Sequence, residues 1–145
     1  MPLIKRTALD SVFSQCVRER VDWTCERCGK YYPEGSRGGL DCSHLMGRRH
    51  VRTRHHPENC FAHCRGCHQH LGSNPVEFTR WAEERLGIGL IEILREMAFQ
   101  PLKLSKVDRK AREKEMLTHY RNELKKLRDR RADGVQGRLE FTGYD

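Results

Sequence analysis

Two Cys-x-x-Cys pairs constrain this chain more than any other feature of its sequence. Cys25 and Cys28 form the first pair, and Cys64 and Cys67 form the second, with residues 29–63 between them. Two thiolates separated by two residues can hold one ion from a tight turn, and four thiolates complete a tetrahedral zinc shell. The seven cysteines are odd in number and no signal peptide precedes them, so bound metal in a reducing compartment is favoured over disulfide bonds. We therefore predict a structural zinc ion held by these four cysteines.

Other interpretations of the cysteines stay open at this stage. A single Cys-x-x-Cys can also be a redox pair, so Cys25 and Cys28 could belong to a thiol–disulfide enzyme, although that leaves the second pair unexplained. Cys42 and Cys60 could substitute for members of the zinc set, and are otherwise small core residues. Cys16 lies on the apolar stripe of a helix, where a small buried hydrophobe is expected.

The charge of the chain favours a polyanionic partner. Its 145 residues, enough for one domain or for a small core with a helical arm, carry 28 Lys and Arg against 20 Asp and Glu, a formal net charge of +8. Nucleic acid is the commonest partner of such a surface. No apolar run approaches the roughly 20 residues that a membrane span needs, so no membrane contact is expected.

Local signals predict four helices after a loose lead-in at 1–6. Capping residues and apolar periodicity mark helices over 8–20 (capped by Thr7), 75–87 (capped by Asn74), 90–98 and 105–132. Trp81, in the second of them, is read as a core anchor, with stacking on a base as the alternative. Residues 134–145 are predicted to form a flexible tail.

The longest predicted helix carries most of the excess charge. Residues 103–131 hold 12 Lys and Arg against 5 Asp and Glu, a net charge of +7. We expect this helix to contact the DNA backbone, with association through a narrow apolar stripe as the alternative. A solvated face with internal ion pairs such as Glu123–Lys126 is the third interpretation. The stripe consists of Leu117, Tyr120, Leu124 and Leu127.

The centre of the chain is predicted to be two strands followed by a helix. After a turn-rich loop over 31–39, residues 40–46 form the first strand and 51–54 the return strand, with the turn between them. Residues 56–59 are a loop, because the residue before a proline disfavours helix. The segment 60–70 then passes from the second cysteine pair into a helix.

At this point three residues carry a resemblance to a known family. His44, Asn59 and His68 match the H…N…H signature of the HNH (His-Me finger) nucleases in their zinc-containing variant. The wider stretch DCSHLMGRR…HHPENCFAHCRGC…GSNPVEF, followed by a basic helix, resembles the phage recombination nucleases called NinG or Rap. The resemblance covers residues 23–87 well and the terminal helices only loosely.

The resemblance implies an α+β fold with a small zinc-stapled ββα-metal core, treble-clef-like, flanked by helices and followed by a long basic C-terminal helix. The implied divisions are an N-terminal helix at 1–22, the nuclease core at 23–87, a helical basic arm at 88–133 and the tail at 134–145. His44 would be the general base, Asn59 would pin a loop by side-chain hydrogen bonds, and His68 would bind the catalytic Mg²⁺ or Mn²⁺. A closed four-thiolate zinc has no open position, so that ion should not be catalytic.

One position departs from the family pattern. Many HNH sites have an acid or a histidine just before the base, as a second metal ligand, whereas this chain has Ser43. Asp41 lies on the same strand face by the period of two, so we predict that Asp41 replaces it. Glu58 and His63 are the weaker alternatives.

Four arginines follow the first predicted strand, interleaved with histidines. We predict that they form a phosphate-binding surface, because the guanidinium fork matches phosphate oxygens. An exposed, highly charged hairpin is the alternative interpretation. These residues are Arg48, Arg49, Arg52 and Arg54.

The sequence is thus interpreted as a divalent-metal-dependent DNA endonuclease. The resemblance suggests branched recombination intermediates, such as D-loops and four-way junctions, as substrates. It also suggests a phage or prophage protein acting in the cytoplasm of a bacterial host, and a homodimer through the C-terminal helix is plausible. The alternative is a non-catalytic zinc-containing nucleic-acid-binding module. Ser43 favours that alternative, whereas the presence of both His44 and His68 favours the enzyme.

Overall fold

The computed structural model describes residues 4–36 and 39–145, so the predicted lead-in and the loop over 31–39 lie partly outside the described residues. Within them a two-stranded antiparallel sheet is surrounded by six α-helices, which confirms a mixed α and β fold. None of the described helices is long and apolar enough to cross a membrane. In chain order the elements are α1 (Ala8–Arg20), β1 (Leu40–His44), α2 (Val51–Arg54), a 3₁₀ turn (Pro57–Asn59), β2 (Cys60–Cys64), α3 (Arg65–Gly72), α4 (Pro75–Leu86), α5 (Ile88–Ala98) and α6 (Lys106–Ala132).

The helices begin and end close to the predicted positions. At the start of α1, the Thr7 hydroxyl accepts a hydrogen bond from the Asp10 amide at 3.1 Å, and the Asp10 carboxylate accepts from the Thr7 amide at 2.8 Å. This reciprocal capping box satisfies two amides that the helix itself cannot pair. Asn74 precedes α4 as predicted, but its side chain does not cap that helix and instead donates to the His70 carbonyl at 2.7 Å.

The return strand was predicted in the wrong place. β1 pairs with β2, and residues 51–54 form the short helix α2 instead. The physical reason is burial: every residue of β2 is buried, whereas Val51, the one apolar residue of α2, is 44% exposed. A strand at 51–54 would have had no apolar face to place on the core.

Apolar side chains pack on both faces of the sheet. One core lies between the sheet, α1 and α6 and includes Phe13 and Tyr120. The other lies between the sheet and α3–α5 and includes Phe61 and Leu94. Trp81 packs against this second core, with its ring centroid 4.9 Å from that of Phe61, which confirms that it is a core anchor.

The apolar stripe of α6 is used within the chain. Tyr120, Leu124 and Leu127 are buried against the core that α1 shares, so packing of one chain accounts for the stripe. A dimer through this helix stays a prediction that the stripe does not require. The Glu123–Lys126 ion pair forms, with 2.9 Å between nitrogen and oxygen.

The segment after α6 is packed rather than loose. Residues 135–145 contain no helix or strand within the described structure, yet Leu139 and Phe141 are buried. The Leu139 amide donates to the Arg20 carbonyl at 2.9 Å, and the Thr142 amide donates to the Glu123 carboxylate at 2.6 Å. The prediction of a flexible tail was therefore wrong, because two apolar side chains in this segment complete the first core.

Candidate functional site

The two Cys-x-x-Cys pairs converge on one point. The sulfur atoms of all four residues lie within 4.8 Å of one another, and those of Cys28 and Cys64 are 3.9 Å apart. A tetrahedral zinc ion with Zn–S bonds of about 2.3 Å would separate its sulfur ligands by about 3.8 Å. The cysteines are free thiols, so the sulfurs are available to an ion. The cluster of Cys25, Cys28, Cys64 and Cys67, named here the four-cysteine cluster, can therefore hold a structural metal ion.

Local backbone structure explains how the pairs meet. The first pair lies on a turn in which the Gly29 amide donates to the Cys25 carbonyl at 2.9 Å, and Gly29 has a φ of +78°, which a side chain would strain. Glu26 ties this turn to β2, because its amide donates to the Ala62 carbonyl and its carboxylate accepts from the Ala62 amide. The second pair spans the end of β2 and the first turn of α3.

His44 ends β1 with one ring nitrogen already engaged. Its Nε2 lies 2.9 Å from the Arg54 carbonyl oxygen, so Nε2 carries the proton and Nδ1 keeps the lone pair. Burial lowers the pKa of His44 to about 4, although the hydrogen bond to Arg54 acts in the opposite direction. At neutral pH the imidazole is therefore uncharged and can accept a proton at Nδ1.

The carbonyl that holds His44 is itself held by an ion-pair network. Arg54 donates twice to the Asp10 carboxylate, at 3.0 and 2.5 Å, and His55 contacts the same carboxylate at 2.8 Å. Burial alone would raise the pKa of Asp10, but the hydrogen bonds from His55, Arg54 and Thr7 outweigh it and hold that pKa well below its usual range. Sequence reasoning missed Asp10 as part of the site, because no local signal links an acid in the first turn of α1 to residues 54 and 55.

Asn59 joins two parts of the segment between the strands. Its side chain is fully buried and makes three hydrogen bonds with backbone groups. Oδ1 accepts from the Met46 amide at 2.7 Å, while Nδ2 donates to the Met46 carbonyl at 3.0 Å and to the Thr53 carbonyl at 2.9 Å. These bonds close the loop between the strands, and the Arg54 carbonyl that contacts His44 belongs to that loop.

The structure brings Asp41 and His68 together. The Asp41 Oδ2 atom lies 3.0 Å from His68 Nδ1, and Arg65 lies 3.7 Å from the other carboxylate oxygen. Both side chains are partly exposed, 28% for Asp41 and 42% for His68. Neighbouring ligands of an octahedral ion with bonds of about 2.1 Å would also be about 3.0 Å apart, so the pair fits either an ion pair or a Mg²⁺ or Mn²⁺ ion.

The alternative second ligands lie elsewhere. Ser43, which occupies the position of the usual second ligand, is buried, and its hydroxyl has no hydrogen-bond partner among the described residues. His63 is buried among the rings of Phe61, Phe78 and Trp81, and burial lowers its pKa to about 3. Glu58 borders other depressions of the surface.

A cleft of about 720 Å³ runs along this edge of β1. His44, Asp41 and His68 line it, and four arginines surround them. Four arginines outnumber the two carboxylates of the lining, Asp10 and Asp41, so the wall of the cleft has an excess of positive charge. A cleft of this kind attracts phosphate groups. The arginines are Arg6, Arg18, Arg48 and Arg65.

Among the four arginines predicted to bind phosphate, only Arg48 lines the cleft. Arg49 contacts His50, Arg52 donates to the Pro101 carbonyl, and Arg54 is engaged by Asp10. Sequence reasoning missed the other arginines of the cleft. The one local signal was Arg65, a basic residue inside the second Cys-x-x-Cys and next to His68 by one helical turn.

Comparisons with known proteins add no assignment: neither a family model, nor a curated protein, nor a solved structure matches the chain. The function is therefore argued from the chemistry of the cleft.

Proposed function

We propose that this protein is a divalent-metal-dependent DNA endonuclease with His44 as its general base. The observation that carries the proposal is one arrangement: an uncharged imidazole and an Asp41–His68 pair on the wall of one arginine-lined cleft. Phosphodiester hydrolysis needs a base for water, a cation beside the phosphate and groups that hold the strand. Each of these has a candidate in the cleft.

His44 would remove the proton from the attacking water. The hydrogen bond from Nε2 to the Arg54 carbonyl leaves Nδ1 as the acceptor, and burial keeps the ring uncharged at neutral pH. The water oxygen then bonds to phosphorus, the phosphorus–oxygen bond to the leaving nucleotide breaks, and the leaving oxygen takes up a proton from solvent. Asn59 and Asp10 act as positioning residues, because they hold the backbone that orients His44.

Asp41 and His68 would hold the catalytic cation. A bound Mg²⁺ or Mn²⁺ ion would stabilise negative charge on the phosphate and on the leaving oxygen. A carboxylate and an imidazole are acceptable ligands for Mn²⁺, and the carboxylate suits Mg²⁺. Two protein ligands leave room for water and a phosphate oxygen. Arg65 beside Asp41 would help to retain that phosphate.

The four-cysteine cluster would hold zinc as a structural ion. Four thiolates with tetrahedral spacing are the donor set that zinc prefers. The ion would join the turn at Cys25 to the start of α3, and His68 projects from that same helix turn. Zinc would therefore position the catalytic ligand without entering the reaction.

Cleavage of labelled DNA tests the proposal. A four-way junction, a D-loop and a linear duplex would be incubated with Mg²⁺ or Mn²⁺ and with wild type, His44→Ala or the control His70→Ala, whose residue contacts exposed Glu77. We expect His44→Ala to lose about 10²- to 10⁴-fold in rate, the usual contribution of a general base, with zinc content unchanged. His70→Ala should cleave normally.

The same assay separates the alternatives. Preferential cleavage of the branched DNAs would support recombination intermediates as substrates, whereas equal cleavage of all three would remove that part of the proposal. Tight binding of DNA without cleavage by zinc-loaded wild type would replace the enzyme by a nucleic-acid-binding module. Asp41→Asn should raise the Mg²⁺ concentration needed for half-maximal cleavage, and an unchanged requirement would exclude Asp41 as a ligand.

A further inference from the structure

A second group of metal-binding donors lies beside the proposed base. One ligand atom each from Cys42, His44 and Cys60 lie within 4.8 Å of one another. The register of the sheet brings them together: His44 is opposite Cys60, and Cys42 lies two residues earlier on the same face of β1. Cys60 Sγ and His44 Nε2 also approach a common atom, the Arg54 carbonyl oxygen, at 3.7 and 2.9 Å.

We propose that Cys42, His44 and Cys60 form a second site for a thiophilic divalent cation such as Zn²⁺, and that filling this site inhibits cleavage. Thiolate and imidazole are the ligands that Zn²⁺ and Co²⁺ accept readily, whereas Mg²⁺ prefers oxygen. The site therefore discriminates against the ion that would support catalysis. The inhibition rests on the proposed function, but the binding of the ion does not.

The position of the donors permits entry of an ion. Cys42 and His44 line the cleft, and Cys60 is fully buried behind them. An ion could enter from the cleft, and a water molecule there could complete a four-ligand shell. Three protein ligands and one open position distinguish this site from the closed four-cysteine cluster.

The charge of the cleft is compatible with a bound ion. Two thiolates cancel the two positive charges of the ion, so the filled site adds no net charge beside Arg18 and Arg48. The ion also brings the thiolates a partner inside the protein, which a buried charge requires.

Occupancy would disable the base whichever ring nitrogen binds the ion. An ion on Nδ1 takes the lone pair that would accept the proton of water. An ion on Nε2 instead displaces the hydrogen bond to the Arg54 carbonyl and places the proton on Nδ1. In both cases His44 no longer presents a free acceptor at Nδ1.

Metal stoichiometry tests the binding. The 145-residue chain carrying one zinc ion in the four-cysteine cluster would be titrated with further Zn²⁺ and followed by calorimetry and native mass spectrometry. Wild type and the control Cys16→Ser, which alters a buried cysteine outside both clusters, should each bind a second equivalent. Cys42→Ser and Cys60→Ser should weaken that second equivalent by more than about 100-fold, since even residues that only contact a ligand change metal affinity about 10- to 100-fold.

Two binding outcomes would overturn the proposal: no second equivalent in wild type, or equal binding by Cys42→Ser and Cys60→Ser. Cys42 is only partly buried, so Cys42→Ser decides the matter if the other variant does not fold. Co²⁺ added to the zinc-loaded protein gives a second readout, because a thiolate-to-cobalt absorption band should appear in wild type and be reduced in both variants.

The inhibition is tested with Mg²⁺ present in excess. Added Zn²⁺ should inhibit cleavage by wild type and Cys16→Ser but not by Cys42→Ser. Equal inhibition of all three would assign the effect to displacement of Mg²⁺ at Asp41 and His68 and would refute regulation by the second site. A second bound equivalent in a protein that cleaves no DNA would refute the proposed nuclease and its inhibition, while leaving the metal site established.

Discussion

Replacing Asn59 with alanine should destabilise the protein by about 2–3 kcal/mol. The change removes three hydrogen bonds from a fully buried side chain. A hydrogen bond contributes about 1 kcal/mol net, and a buried group left without a partner costs somewhat more. The Thr53 carbonyl keeps the His56 amide at 3.1 Å as a second donor, so its loss adds little. The Met46 amide and carbonyl carry most of the effect.

Urea unfolding measures this difference. Trp23 and Trp81 supply the fluorescence signal, with zinc held in excess so that metal loss does not contribute. The matched control is Asn74→Ala, because Asn74 is exposed and its side chain makes one hydrogen bond, to the His70 carbonyl. That control should change the free energy of unfolding by no more than about 0.5 kcal/mol, as for most surface substitutions.

The result that would refute the reasoning is a small difference between the two variants. If Asn59→Ala and Asn74→Ala differ by less than about 0.5 kcal/mol, the buried amide does not hold the loop. We also expect Asn59→Ala to cleave more slowly than wild type under conditions in which the variant is folded, because the loop carries the Arg54 carbonyl that orients His44. Equal cleavage by folded Asn59→Ala and wild type would remove its positioning role.

Three further outcomes follow from the same structure. Chelation of zinc, or the substitution Cys25→Ser, should unfold the protein, as measured by circular dichroism, whereas Cys16→Ser should stay folded. A structural zinc ion contributes roughly 10 kcal/mol or more, which is as much as the whole stability of many domains. A metal-free protein that stays folded would contradict this. The pKa of His63 is about 3 in the folded protein and 6.5 in the unfolded chain. Below pH 6.5 the unfolded chain therefore binds a proton that the folded protein does not, so the free energy of unfolding falls as the pH is lowered from 6.5 towards 3. The advantage of His63→Phe over wild type in urea unfolding should therefore grow by about 1.4 kcal/mol per pH unit from pH 6 downward, and a pH-independent difference would argue against a buried neutral imidazole. Arg48→Ala combined with Arg65→Ala should reduce the slope of log affinity against log salt for duplex DNA by about 1.8, at about 0.9 per phosphate contact, while Arg80→Ala outside the cleft leaves the slope unchanged.

Sequence signals were sufficient wherever the determining interactions are local. The helix caps, the spacing of apolar residues and the two Cys-x-x-Cys pairs act over a few positions, and α1, α6 and the four-cysteine cluster appear where these signals indicate. Asp41 was selected from the period of a strand, and its carboxylate lies beside His68. That contact is the part of the candidate catalytic site that sequence periodicity anticipated.

Tertiary structure decided the interactions between residues that are far apart in the chain. Strand pairing depends on which segment can bury both faces, so β1 took residues 60–64 as its partner instead of 51–54. The same holds for Arg54, which was predicted to bind phosphate but donates to the Asp10 carboxylate on α1. Apolar residues near the end of the chain became part of the core because α1 and α6 leave space for them. By itself the sequence determined the long helices and the four cysteines that can hold a metal ion, since each of these signals lies within one or two turns. Only packing decided which arginines line the cleft and which are engaged by a carboxylate, because the neighbours that pair with a charge are distant in the chain.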